Sequence, residues 1–92
     1  MSLLSEDEII ERLAAVPAWT RDGGSIVHVQ TLAGFNAAML YVSAVGYLAE
    51  AADHHPDITI QWNKVTLTLS THSAGGLTDK DFALAGRISQ LG

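Results

Sequence analysis

The sequence has 92 residues, with ten Asp or Glu, five Lys or Arg and no cysteine. This length predicts a single domain over residues 1–92 and leaves no room for a second one. The absence of cysteine excludes disulfides, thiol catalysis and cysteine-ligated zinc, and it favours the reducing cytoplasm as the location. The net charge of −5 argues against direct binding to nucleic acid.

A capping box near the start of the chain predicts the first helix. Ser5 and Glu8 fit the S-x-x-E pattern, so the helix is expected to begin near Glu6. Pro17 is expected to end it near Ala15, because a proline disfavours helical backbone in the residue before it. These first residues carry neither a basic segment nor a long apolar one, so no signal peptide is expected.

Two short strands are expected next, at residues 19–21 and 25–30, on either side of a turn that contains Gly23 and Gly24. The second strand alternates its side chains between two faces, and the pattern leaves open which of the two faces the core. His28 stands alone in this strand. We interpret it as a surface or interface residue without a chemical role.

The middle of the chain predicts one long helix. Apolar residues recur at spacings of three and four from about residue 32 to residue 53, which is typical of an amphipathic helix, and Pro56 follows its end. Residues 31–49, the longest stretch of low charge, overlap this helix and are the only candidate for a membrane span. Their glycines and polar residues, such as Asn36 and Ser43, favour a buried helix instead, so no membrane partner is predicted.

The last third of the sequence predicts a hairpin and a final helix. Residues 57–61 and 65–70 alternate with the period of strands and are expected to pair as an antiparallel hairpin. Thr78 and Asp81 fit a second capping box at the start of the last helix. The element order is therefore α-β-β-α-β-β-α. It predicts an α+β fold, a four-stranded antiparallel sheet with three helices packed on one face.

Three of the four histidines are candidates for chemistry near neutral pH. His72 follows one strand of the second hairpin, while His54 and His55 precede its partner, so antiparallel pairing is expected to bring all three to one end of the sheet. Imidazole is the natural acid–base group at this pH. Glu50 lies four residues before His54 and Asp53 is adjacent, so either carboxylate is a candidate to orient a histidine.

Other interpretations of these residue types remain open. The three histidines and a carboxylate could ligate zinc or iron, but adjacent histidines rarely converge on one ion and no H-x-x-x-H or H-x-H spacing occurs, so no metal is predicted. Helix capping alone accounts for the carboxylate of Asp81. Three aromatic side chains could stack on a flat ligand, although core packing is the commoner use: Trp19, Phe35 and Trp62.

Four motifs together resemble the pterin-4a-carbinolamine dehydratases. They are E-x-x-D-H-H-P-D at residues 50–57, W-N-K-V at residues 62–65, L-S-T-H at residues 69–72 and G-L-T-x-x-D at residues 76–81. Weaker agreement extends towards the N-terminus, so the resemblance covers nearly the whole chain. It implies a four-stranded antiparallel sheet with three helices on one face, which agrees with the element order predicted above.

The resemblance also implies an activity. Members of this family dehydrate 4a-hydroxytetrahydropterin, which aromatic amino acid hydroxylases release, to quinonoid dihydropterin in tetrahydrobiopterin recycling, with no metal or organic cofactor. They are homodimers or homotetramers, and the small core expected here also favours an oligomer. Some members act instead as dimerisation partners of transcription factors, so a non-enzymatic interaction module is the alternative function.

The motifs carry site residues over to this chain. The resemblance implies that His54, His55 and His72 are catalytic, with Asp81 supporting them at the site. We expect His54 and His72 to share the acid and base roles and His55 to position the substrate, because the dehydration needs one proton delivered and another removed. Contacts to the pterin are implied for a second set of polar residues: Glu50, Asp53, Ser70, Thr71 and Ser73.

Overall fold

The structure, a computed structural model, describes residues 2–92. The elements are α1 (Glu6–Ala15), β1 (Thr20–Asp22), β2 (Ser25–Thr31), α2 (Phe35–Ala52), β3 (Asp57–Gln61), β4 (Lys64–Leu69) and α3 (Asp79–Ser89), with a 3₁₀ turn at His72–Ala74. This order confirms the predicted α-β-β-α-β-β-α arrangement. Both predicted capping boxes are also present, at the starts of α1 and α3.

The four strands form one antiparallel sheet in the order β1-β2-β4-β3. Both predicted hairpins are present, and β2 pairs with β4 to join them at the centre. In β4 the buried residues Val65, Leu67 and Leu69 alternate with the half-buried Thr66 and Thr68. This alternation places one face of the sheet against the core, as the period of a strand requires.

The three helices cover that core face. Each contributes side chains to a single hydrophobic cluster with the inner residues of the sheet, among them Ile9 of α1, Val45 of α2 and Leu84 of α3. Burial also decides the orientation of β2, which the sequence left open. Ile26 is fully buried whereas Val29 is 50% exposed, so the face of Ile26 packs under the helices.

His28 shares the face of Ile26 and contacts neighbouring groups rather than a cleft. Its ring lies 5.3 Å from that of Trp19, and its nitrogens bond the carbonyl of Ala18 and the side chain of Gln30. The prediction that the three aromatic side chains pack in the core is correct for Trp19, which is buried. The same prediction is wrong for Phe35 and Trp62, which are both exposed. Within residues 2–92, no helix combines the length and apolar character needed to cross a membrane.

Candidate active site

The end of α2 separates the two adjacent histidines. Asp53 adopts the left-handed conformation with φ of 49°, which aspartate tolerates better than most residues, and the amide of His54 then donates to the carbonyl of Ala49 at 3.1 Å. The chain reverses direction here before Pro56 leads into β3. As a result, His54 is buried in the domain while the side chain of His55 is 59% exposed.

A tight loop after β4 carries the third histidine. The amide of Thr71 donates to the carbonyl of Gly76 at 2.9 Å, which closes the loop around the 3₁₀ turn that begins at His72. Gly75 ends this turn with φ of 79°, a conformation that glycine adopts without a steric penalty. The loop therefore holds His72, which is exposed, at the same end of the sheet as the end of α2.

These two segments border a cleft of about 310 Å³. Its lining residues are Asp53, His54, His55, Ser70, Thr71, His72, Ser73 and Lys80. The structure thus brings the three predicted histidines to one cleft, within the size range of small-molecule sites. Of the other residues that the resemblance implied, Glu50 and Asp81 do not line the cleft but each contacts a histidine that does.

His54 is oriented by a buried carboxylate. Its Nε2 lies 2.5 Å from Oδ1 of Asp81, which is fully buried at the start of α3. Asp81 also accepts hydrogen bonds from the hydroxyl of Thr71 at 2.8 Å and the amide of Thr78 at 2.9 Å. An ionised carboxylate only accepts, so Nε2 carries a proton towards it and Nδ1 is the nitrogen left for other partners.

Burial and hydrogen bonding together show that Nδ1 of His54 is accessible from the cleft. Nδ1 of His54 has no hydrogen bond to the part of the chain that the structure describes, and no buried side-chain nitrogen or oxygen there lacks a partner. Nδ1 is therefore accessible, although the residue as a whole is only 9% exposed. Since His54 lines the cleft, this accessible nitrogen is the group that it can present to a ligand.

The remaining polar residues differ in how their groups are used. His55 bonds Glu50 through Nε2 at 2.8 Å, and both side chains are exposed. Ser70 donates its hydroxyl hydrogen to the carbonyl of Gly24 at 2.8 Å, which ties the cleft to the β1–β2 turn. Its oxygen lone pairs remain free to accept a hydrogen bond. Asp53 and Ser73 are exposed at the rim.

Two residues near the site were not predicted from the sequence. Lys80 is the one lysine or arginine among the described lining residues, and Thr78 contacts Thr71 from behind the cleft. Both lie in or beside the first turn of α3, next to Asp81. Their position next to Asp81, which was already assigned to the site, was the only sequence feature that could have suggested a role for them there. Nothing in the sequence showed that this turn faces the end of α2.

The sequence left open a metal site formed by the histidines and a carboxylate. Among residues 2–92, no group of three or more His, Asp or Glu side chains is arranged to hold an ion. The adjacent histidines diverge instead, His54 to Asp81 and His55 to Glu50. The left-handed turn at Asp53 ends the helix before both histidines, so their side chains no longer follow its spacing.

The fold and the site define a class of protein, a small α+β domain with three histidines on one cleft, one of them held by a buried carboxylate. Imidazole side chains are capable of acid–base chemistry near neutral pH. The comparison with known sequences is more specific. The chain belongs to the pterin 4 alpha carbinolamine dehydratase family, whose sequence model matches residues 2–91. This confirms the family resemblance that the motifs predicted.

Relatives that carry the family's name match over the full length. One from Chloroflexus aurantiacus is 54% identical, over 99% of this chain and 98% of the relative. Another from Mycobacteroides abscessus is 48% identical, over 100% of this chain and 99% of the relative. Agreement on this scale covers every element of the fold and both segments that border the cleft.

Solved structures show the same fold. The transcriptional coactivator/pterin dehydratase from Brucella melitensis superposes with a TM-score of 0.91 at 30% identity, over 96% of each chain. A pterin dehydratase-like protein identified as a RuBisCO assembly factor in the alpha-carboxysome superposes with a TM-score of 0.64 at 19% identity, over 79% of this chain and 84% of that one. The second likeness concerns the fold alone.

Proposed function

We propose that this protein is a hydro-lyase that converts 4a-hydroxytetrahydropterin to quinonoid dihydropterin and water. Membership of the family and the name shared by its relatives support the reaction. The observation that carries the proposal is the cleft itself. It presents three histidines, and one of them, His54, is held by a carboxylate that fixes which of its nitrogens faces the ligand.

The reaction needs one proton to be delivered and another to be removed. The bond between C4a and its hydroxyl oxygen breaks, and an acid supplies the proton that lets the oxygen leave as water. A ring nitrogen loses its proton to a base, and its electrons form the new double bond to C4a. No electrons are gained or lost overall, so two imidazoles in opposite protonation states meet the need.

In this proposal His54 and His72 share the acid and base roles. His54 offers an accessible Nδ1 with its ring fixed from behind, and His72 lies at the rim of the same cleft on a short, closed loop. His55, bonded to Glu50, positions the substrate. A fixed imidazole is the better proton-transfer group because its orientation is established before the substrate arrives.

Contacts to the pterin are proposed for the polar residues around the histidines. Asp53 and Ser73 offer side chains at the rim, and the oxygen of Ser70 can accept from a ring N–H. Thr71 lines the cleft but donates its hydroxyl hydrogen to Asp81. Its contact to a ligand would therefore use the main chain.

Loss of the carbinolamine, followed by ultraviolet absorbance, tests the activity. The protein is expected to accelerate the spontaneous decay, and His54→Ala and His72→Ala are each expected to lower the rate by about 10²–10⁴-fold. His28→Ala removes an imidazole outside the cleft and serves as the control. A wild-type rate equal to the spontaneous one, or active-site variants as fast as the control, would reject the proposal.

The proposed reaction has a place beside an aromatic amino acid hydroxylase, which releases the carbinolamine, in the cytoplasm and in tetrahydrobiopterin recycling. A chain without cysteine suits a reducing compartment. In a coupled assay with such a hydroxylase, the protein is expected to raise pterin turnover only when carbinolamine accumulates. Unchanged turnover under that condition would argue against this pathway role.

We further propose that the protein self-associates through the outer face of α2. Phe35, Met39, Leu40 and Tyr47 are all exposed there, and the helix carries no charged residue before Glu50. Exposed apolar side chains grouped on one helix typically mark an interaction site, and two copies of a face without charge before Glu50 meet there without like-charge repulsion, although the chain carries a net charge of −5. The proposed state is a dimer or a tetramer.

Sedimentation tests the self-association. Tyr47→Asp places a charge on the outer face of α2, where Tyr47 is 76% exposed, and is expected to give a species of 9.8 kDa. Ile10→Asp makes the same kind of change on α1, where Ile10 is 66% exposed, and should leave the assembly intact. A wild-type protein that sediments as a 9.8 kDa monomer at micromolar concentration would exclude this interface.

The name of the Brucella melitensis relative favours a second candidate, a non-enzymatic interaction module. Here the outer face of α2 would bind another protein instead of a second copy. Capture of one stoichiometric partner by a protein whose cleft is inert in the carbinolamine assay would support this candidate. Activity that depends on His54 and His72 would favour the enzyme.

A further inference from the structure

The fold buries four polar side chains among residues 2–92, and all four are hydrogen-bonded to one another. They are His54, Thr71, Thr78 and Asp81, each no more than 9% exposed. Only His54 and Thr71 line the cleft, while Thr78 and Asp81 lie behind it. Burying a polar group is costly unless it is paired, so this arrangement needs an explanation beyond packing.

The direction of each hydrogen bond follows from the number of hydrogens available. The hydroxyl of Thr71 donates to Oδ2 of Asp81, which uses its only hydrogen. The contact of 2.8 Å between the two threonine hydroxyls must then run from Thr78 to Thr71. Thr78 itself accepts from the amide of Lys80 at 3.3 Å. Every bond in the chain therefore points towards the carboxylate.

We infer that Thr71 and Thr78 are positioning residues, which act through Asp81 to hold His54 with its proton on Nε2 and its Nδ1 lone pair towards the cleft. The threonines fix Oδ2, which leaves Oδ1 as the oxygen that faces His54. A carboxylate free to rotate would hold the imidazole less firmly. Hydrogen bonds that polarise one another in a buried chain strengthen this constraint.

This inference deepens the proposed function and rests on it for its effect on rate. It gives Thr71 a different role from the pterin contact that the family resemblance implied. A residue that only contacts substrate alters KM when its hydroxyl is lost, whereas one that orients the acid–base group alters kcat. Thr78 lies too far behind the cleft to line it, so its influence on rate can reach the substrate only through the chain.

The experiment combines kinetics with NMR of histidine nitrogens, whose shifts report which nitrogen carries the proton. Wild-type His54 is expected to carry it on Nε2. Thr71→Val and Thr78→Val keep the side-chain shape but remove the hydroxyl, and each is expected to lower kcat by about 10-fold or more with KM within about 2-fold. The same variants should move the His54 shifts, and the serine replacements Thr71→Ser and Thr78→Ser should restore both readouts.

A matched control separates positioning from loss of a helix cap. Ser5→Ala removes the capping hydroxyl of α1, the counterpart of Thr78 in α3, without touching the chain, so it should destabilise the fold and leave kcat and the His54 shifts unchanged. Valine variants with wild-type shifts and kcat would overturn the inference. A wild-type His54 that carries its proton on Nδ1 would also overturn the inference, and this measurement does not depend on whether any variant folds. The NMR result stands whether or not the protein dehydrates carbinolamine, so the two proposals fail separately.

Discussion

Replacing Asp81 by asparagine tests the site most directly, because an amide cannot accept all the hydrogen bonds that the carboxylate accepts. Oδ2 receives the hydroxyl of Thr71 and the amide of Thr78, while Oδ1 receives Nε2 of His54. Asparagine has one oxygen and one NH₂ group. If the oxygen takes the position of Oδ2 and keeps two donors, the NH₂ group faces His54.

The NH₂ group can donate to Nε2 only when that nitrogen has no proton. His54 would then carry its proton on Nδ1, so the nitrogen that faces the cleft could no longer accept a proton from the substrate. The loss of general acid–base catalysis is worth about 10²–10⁴-fold, and a wrong tautomer imposed in the same way costs a serine protease about 10⁴-fold. We therefore expect kcat of Asp81→Asn to fall by about 10²–10⁴-fold.

Stability should fall less than activity. The amide oxygen still caps α3, so the main loss is one charge-assisted hydrogen bond, worth about 1.5–3 kcal/mol. In a domain of this size, that corresponds to a decrease in Tm of about 6–24 °C at about 4–8 °C per kcal/mol. Circular dichroism at the assay temperature will show whether the variant is folded before its kcat is measured.

Asp79→Asn is the matched control. It makes the same substitution in the same first turn of α3, but the carboxylate of Asp79 is 69% exposed and pairs with Arg12 at 2.6 Å. Losing an exposed pair costs about 0.2–1 kcal/mol, and kcat should stay within about 2-fold of wild type. A folded Asp81→Asn enzyme with kcat within about 3-fold of Asp79→Asn would refute the tautomer argument.

Three further predictions concern the scaffold. The backbone amide of Ser5 donates to Glu8 and lowers the pKa of that carboxyl below 4.5, so the stabilising effect of the hydrogen bond is present above pH 4.5 and is lost as the pH falls through the lowered pKa. The difference in Tm between wild type and Glu8→Gln should therefore shrink in melts below pH 4.5, and a constant difference would contradict this prediction. Gly75→Ala should cost about 1–2 kcal/mol in urea unfolding because φ there is 79°, and a neutral result would show that the loop relaxes. Gly86→Ala, where an added Cβ meets no atom within 4 Å in the middle of α3, should instead stabilise by about 0.5–1 kcal/mol, and a loss would mean that the position is tighter than it looks.

The helices and hairpins could be predicted because their signals are local. The capping boxes at Ser5 and Thr78 involve residues only three positions apart, and the structure contains both. The order of the elements followed from these signals and from strand alternation. The same local reasoning predicted that the three histidines meet, because the segments before β3 and after β4 lie at one end of an antiparallel hairpin, and the structure places them on one cleft. The family motifs added only the catalytic roles that they imply.

Other features depended on contacts between distant residues. The alternation of β2 does not identify its core face, which is set by the packing of Ile26 beneath the helices. Trp62 lies exposed on its hairpin turn, contrary to the core packing expected of an aromatic side chain. Lys80 and Thr78 were missed for the same reason. A residue at a helix start has no sequence pattern that names the element it will face.

His54 and His55 show which features follow from local sequence and which depend on the tertiary structure. The sequence by itself determined that two imidazoles stand together at the end of α2, since the helix pattern and Pro56 are local features. Only the tertiary structure decided their different roles. His54 reaches Asp81 across 27 positions of chain, whereas His55 turns back to Glu50 only five positions away. The difference arises because α3 packs beside α2 and places a fully buried carboxylate where one ring, and not its neighbour, can reach it.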